Sequence, residues 1–132
     1  MSDPNHNFAT IVSCMDGRIQ KPLRDFAIKK FVVTYVDAIT DRGGLLRSLS
    51  EEKNETYLSN MIENIQVSLT SHKSKGIVIA GHKHCAGYPI SDDQKKKEVL
   101  YAADLIRNSI PGVEVVPVFV SEDDPLWKVE LL

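Results

Sequence analysis

Four apolar runs rich in β-branched residues punctuate the chain, at Phe8 to Ser13, Phe31 to Val36, Gly76 to Ala80 and Val113 to Val120. Polar or glycine residues bound each of them, as expected of buried strands. Between them the period lengthens. Pro22 suits the first turn of a helix running to about Lys30, with Leu23, Phe26 and Ala27 on one face. Leu58, Met61, Ile62, Ile65 and Leu69 recur at spacings of three and four, which predicts a longer helix with one buried stripe. A third helix opens on Ser91 and Gln94, the spacing of a capping box, turns Val99, Ala102, Ala103 and Ile106 inward and stops at Pro111-Gly112.

Strands that alternate with helices point to an α/β fold, because parallel neighbours need crossovers and right-handed crossovers lay helices on both faces of the sheet. We expect a single domain over residues 1–132 with a mainly parallel sheet of order 2-1-3-4. The stretch "DRGGLLRSLSEEKNE" reads as loop, Gly43-Gly44 as a turn, and "SEDDPLWKVELL" as a partly docked tail. Pro117 removes one ladder donor from the last strand and predicts an edge position or a bulge there.

Composition narrows the function classes. With 42% hydrophobic and 26% charged residues the chain is of ordinary globular type, and a net charge of -2 gives no electrostatic reason to expect nucleic acid or an acidic membrane as partner. Lys95, Lys96 and Lys97 form the one basic run and, flanked by Asp92, Asp93 and Glu98, read as a solvated helix face. The amino terminus "MSDPNHNFATIV" has neither the basic nor the apolar segment of a leader, and no run is long enough to span a bilayer, so a cytoplasmic protein is expected. Thiols stay reduced there. Cys14 and Cys85, far apart in sequence, then suggest metal ligands or catalytic groups before a structural disulfide.

Both cysteines lie where an apolar run ends. "ATIVSCMDGR" leads into Cys14, Asp16 and Arg18, and "GIVIAGHKHCAG" into His82 and Cys85. In open α/β sheets ligands collect beyond the carboxyl ends of strands where the order reverses, and order 2-1-3-4 puts the loops after strands one and three at that crevice. Two thiolates and an imidazole suit zinc, with a fourth position left for water. One His-x-x-Cys alone fits equally two buried thiols beside a surface histidine; two such loops after neighbouring strands favour the metal. Arg18 can hold Asp16 in a two-pronged ion pair, keeping the carboxylate ionised and aimed at a metal-bound water. Asp37 and Asp41, near the end of the second strand, read as loop formers.

These two segments, "CMDGR" and "HKHC", resemble the signature motifs of the β-class carbonic anhydrases in order and separation, and the chain is most similar to the family's short carbonic-anhydrase-like members. The resemblance implies zinc held by Cys14, His82 and Cys85, with Asp16 and Arg18 orienting a zinc-bound hydroxide. It also implies reversible hydration of CO2 to bicarbonate, and association as homodimers or larger assemblies. Making hydroxide available at neutral pH takes about 12 kcal/mol, the lowering of water's pKa to roughly 7. His84 or His72 would carry the released proton. Typical members have Arg-Asn-Ala-Gly after the second strand, where this chain reads "YVDAITDRGG". Two alternatives stay open: a hydrolase of a related small molecule such as carbonyl sulfide or carbon disulfide, and a catalytically silent zinc module, structural or redox-sensing, with Asp16 as fourth ligand.

Overall fold

The computed structural model describes residues 7–50 and 55–132. Residues 1–6, on which the reading of the amino terminus largely rests, lie outside them, as do residues 51–54 of the expected loop. The elements run β1 (Phe8–Cys14), α1 (Gly17–Phe31), β2 (Tyr35–Asp41), α2 (Gly44–Ser50), α3 (Glu55–Ser71), β3 (Gly76–His82), α4 (Asp92–Ser109), β4 (Glu114–Asp123) and β5 (Leu126–Leu131). They form an α/β fold around one five-stranded sheet of order β2-β1-β3-β4-β5. The expected order 2-1-3-4 holds with parallel pairing throughout, and β5 extends it antiparallel to β4.

The two faces of the sheet build two cores. Ile19, Leu23, Ala27 and Phe31, one residue per turn of α1, pack on Ile11, Val78 and Val118. On the other face Leu45 and Leu46 of α2, Met61 and Ile65 of α3, and Val99, Ala102, Ala103 and Ile106 of α4 cover Val12, Ile77 and Ile79. β3 lies between β1 and β4, and all seven of its residues are buried. At about 1.5–3 kcal/mol for each fully buried aliphatic side chain, this central strand and its two covers carry most of the folding drive. Among the described residues no helix is long and apolar enough to cross a membrane.

Several elements depart from the sequence expectation, each for a physical reason. The run Phe31 to Val36 is not one strand. Phe31 closes α1 with its ring against the backbone of Gly76, Val32 turns left-handed at φ 54° and stands 79% exposed, and the strand starts only at Tyr35. α1 begins at Gly17, capped by Asp16, so Pro22 falls beyond the first turn and costs the helix one internal hydrogen bond. The expected loop folds from Gly44 to Ser50 into α2. The tail is β5, whose exposed, alternating pattern gives little hydrophobic signal. β4 is therefore not the edge strand. Pro117 lies just past the last β4–β5 register pair, Val118 with Leu131, and its carbonyl accepts from the Leu132 N–H at 3.1 Å. A residue's N and O point to the same side of a strand, so the missing donor faces the place where β5 runs out. Nor is the lysine run a solvated face: Lys95 is 2% exposed and Lys96 pairs with Glu130, which leaves Lys97 to solvent.

Candidate metal centre

Cys14 ends β1 and His82 ends β3, neighbouring parallel strands, so their side chains emerge at the same rim of the sheet. Cys85 follows in the loop to α4. Its sulfur lies 3.8 Å from that of Cys14, and donor atoms of Cys14, His82 and Cys85, all three buried, lie within 4.8 Å of one another. Two thiolates on one tetrahedral ion at ~2.3 Å stand about 3.8 Å apart, so the sulfur spacing already fits shared ligation.

The imidazole is prepared for the same role. His82 Nδ1 lies 2.8 Å from the carbonyl oxygen of Lys83. That oxygen can only accept, so Nδ1 carries the proton and Nε2 keeps a lone pair. Among the described residues Nε2 has no hydrogen-bond partner, though it is buried, a costly state for a polar atom unless something is to be bound there. An orphaned nitrogen beside two converging thiols is the donor set of a zinc site with one position left open.

The sulfurs shape each other's ionisation. The hydrogen bond between the two sulfurs, with the positive charge of Lys95, holds Cys85 low against its burial; Cys14 in turn is raised by that same bond and by burial. The pair therefore loses its first proton readily and its second with difficulty, the condition a divalent cation reverses. The Gly43 N–H donates to the Cys14 sulfur at 3.2 Å. Gly43 and Gly44 both take positive φ, 71° and 61°, and a side chain on Gly44 would meet the backbone of Ser13 at 2.9 Å. The expected turn is thus also the close approach that brings this N–H to the thiol.

Asp16, two residues after Cys14, is the amino-terminal cap of α1. Its Oδ1 accepts from the Arg18 N–H at 2.9 Å and Nε at 3.0 Å, and its Oδ2 from the second guanidinium nitrogen at 2.6 Å. These bonds pull the Asp16 carboxyl down to about 2. Gln20 ties the turn, donating to the carbonyls of Cys14 and Asp16. Asp16 Oδ2 is 3.9 Å from His82 Nδ1, beyond a hydrogen bond but near enough for its charge to be felt. All five residues singled out in the sequence thus meet at one rim.

Other candidates separate. His84 lies at this rim, its Nε2 2.6 Å from Glu122 and its carbonyl accepting from Arg18. His72 does not: it stacks on Phe8 at the opposite end of β1 and bonds Asp37 at 2.6 Å, so a strand of seven residues, roughly 20 Å, parts it from Cys14. Asp37 sits within β2 opposite Thr10 rather than at its end. Asp41 does reach the rim, in register with Cys14 and paired to Arg47 at 3.1 Å. Four contributors escaped sequence reasoning: Arg47, Lys95, Glu122 and Trp127. Lys95 donates to the Tyr88 carbonyl at 2.6 Å, in the same loop as Cys85. The indole of Trp127 lies 4.6 Å from the Arg18 guanidinium carbon. A cleft of about 440 Å³ opens beside this pair, with Pro22 and Leu126 in its wall.

Over residues 4–132 the sequence matches the family described as "Putative carbonic anhydrase". The chain belongs to that family. This carbonic anhydrase-like chain is also similar to a tetrameric β-carbonic anhydrase from the filamentous ascomycete Sordaria macrospora, with a TM-score of 0.55 and 16% sequence identity over 94% of this chain and 79% of the other. At that identity the likeness establishes a β-carbonic-anhydrase fold. No curated protein matches the chain.

Proposed function

We propose that this chain is a zinc-dependent carbonic anhydrase that hydrates CO2 reversibly to bicarbonate. Cys14, His82 and Cys85 hold the metal, and Asp16 and Arg18 act on the reacting water. The observation that carries the reading is a buried His82 imidazole, its Nε2 without a partner among the described residues, clustered with two sulfurs 3.8 Å apart. When bound, the ion supplies the Lewis acidity that makes hydroxide available near neutral pH. The protein residues do the rest. Lys83 fixes the tautomer of His82 through its carbonyl. Asp16, held ionised by Arg18, is an acceptor only, so it can take a hydrogen bond from the attacking oxygen and aim its lone pair at CO2. Because Arg18 engages both carboxylate oxygens, Asp16 is directed away from direct ligation, which favours the catalytic reading over the silent module. His84, paired with Glu122 at the rim, receives the proton that leaves.

The 1–132 domain works in the cytoplasm as a homodimer or larger homo-oligomer, in keeping with the tetrameric neighbour. Metal analysis and stopped-flow CO2 hydration between about pH 7 and 9 test the reading together. About one zinc per chain, lost in Cys14→Ser and Cys85→Ser, is expected, with hydration above the buffer rate. Full metal in both variants would defeat the ligand assignment; a zinc-loaded chain no faster than buffer would defeat the activity.

A further inference from the structure

Arg18 poses a problem that its ion pair does not solve. The side chain is 48% exposed, and exposed ion pairs hold their geometry loosely. Yet Asp16 can aim at a reacting atom only if the guanidinium stays in one plane. Three of the contacts that fix it lie along one edge, with Nε and one terminal nitrogen on Asp16 and the same nitrogen on the His84 carbonyl at 3.1 Å. An edge alone leaves the plane free to rock. The guanidinium carbon lies over the Trp127 ring, 4.6 Å from the centroid.

The hairpin that carries this indole converges on the site at more than one point. Trp127 stands opposite Glu122 in the β4–β5 register, and Glu122 is the partner of His84. The indole is 6.4 Å from the rings of both His82 and His84. We propose that Trp127 is a positioning residue, its indole face pressing the Arg18 guanidinium flat against Asp16, so that the carboxyl-terminal hairpin completes the site within one chain. This rests on the reading of Asp16 as the orienting carboxylate. A planar cation bonded along its edge and stacked on its face cannot rotate out of position; a lysine at residue 18 would offer neither plane nor fork.

The test compares Trp127→Leu, which keeps apolar bulk without a π face, with Trp127→Phe, which keeps the face, in the full zinc-loaded chain. In the wild type the indole shifts the Arg18 side-chain proton resonances upfield; the shift disappears in Trp127→Leu and persists, reduced, in Trp127→Phe. With zinc content unchanged, Trp127→Leu lowers kcat for CO2 hydration about three- to tenfold with KM little affected, and Trp127→Phe recovers at least half of the loss. Unchanged kcat in a folded Trp127→Leu protein overturns the proposal, and so does an equal loss in both variants, which would assign the effect to bulk. Wild-type Arg18 resonances that show no ring shift overturn it without any variant, so the proposal stays decidable even if Trp127→Leu does not fold. If the wild type does not hydrate CO2, the proposed reaction falls, and the clamp is decided by those resonances alone.

Discussion

Two carboxylate–guanidinium pairs flank Cys14, and they are built differently. Asp16–Arg18 stands at the mouth of the site, with Arg18 half in water and its guanidinium carbon over the Trp127 ring. Asp41–Arg47 lies behind it, with Arg47 3% exposed, its Nε donating to the Arg42 carbonyl at 2.7 Å and a terminal nitrogen reaching Asp41 at 3.1 Å. The second pair fastens the turn whose Gly43 N–H reaches the Cys14 sulfur. One pair presents a carboxylate to the place where chemistry would occur, and the other holds the loop that supports the proposed ligand Cys14. The same two residue types therefore carry opposite costs. Losing the exposed pair should spare the fold and harm the reaction, whereas losing the buried one should harm the fold first.

Arg47→Met is the harshest way to break this contrast. It leaves the Arg42 carbonyl without that donor and Asp41 without its cation, while its apolar stem still fits the site. We expect a loss of about 2–4 kcal/mol in unfolding free energy, read as a lowered urea midpoint at unchanged slope. Zinc should bind more weakly as well, because the Gly43 N–H is no longer pinned against Cys14. A variant as stable as the parent would show that burial does not distinguish the two pairs.

The presenting pair was legible in the sequence and the holding pair was not. Cys14, Asp16, Arg18, His82 and Cys85 each follow directly on a strong apolar run, so strand ends and chemistry coincide along the chain. The helices α3 and α4 follow from their own periodicity, and the sheet order from the expected α/β fold rather than from any pattern along the chain. Arg47 and Lys95 gave no such signal. A buried cation looks like any surface charge until its acceptors are known, and those acceptors are backbone carbonyls, Arg42 and Tyr88, that sequence cannot display. β5 was missed because its burial depends on Trp127 and Val129 alone. β2 was misplaced because Phe31 and Val33 are apolar for the sake of the helix face and the loop rather than the strand.

Arg18→Gln probes the other side of the contrast with a smaller effect on the fold. The unfolding midpoint and the zinc content should stay close to the parent's, while CO2 hydration falls about 10- to 100-fold, the usual cost of losing a residue that orients a metal site from behind its ligands. Stopped-flow rates and metal analysis on the same preparation separate the two outcomes. A large drop in midpoint would place Arg18 with Arg47 as a structural cation and would dissolve the distinction between presenting and holding.

The smallest effect concerns acid. The Arg18 guanidinium lowers the Asp16 carboxyl from 3.8 to about 2 in the folded chain, so between those values the unfolded chain binds the proton that the folded chain has released. Stability then rises with pH across this window. What the pair contributes is fully present above about pH 5 and is lost as pH falls through 2. Asp16→Asn removes the titrating group, so the difference in urea midpoint between the metal-free parent and this variant should be constant above about pH 5, shrink towards pH 2 and vanish below it. A difference that does not narrow on acidification would mean that Arg18 does not favour ionised Asp16 in the folded state, and the presenting pair would lose its acceptor.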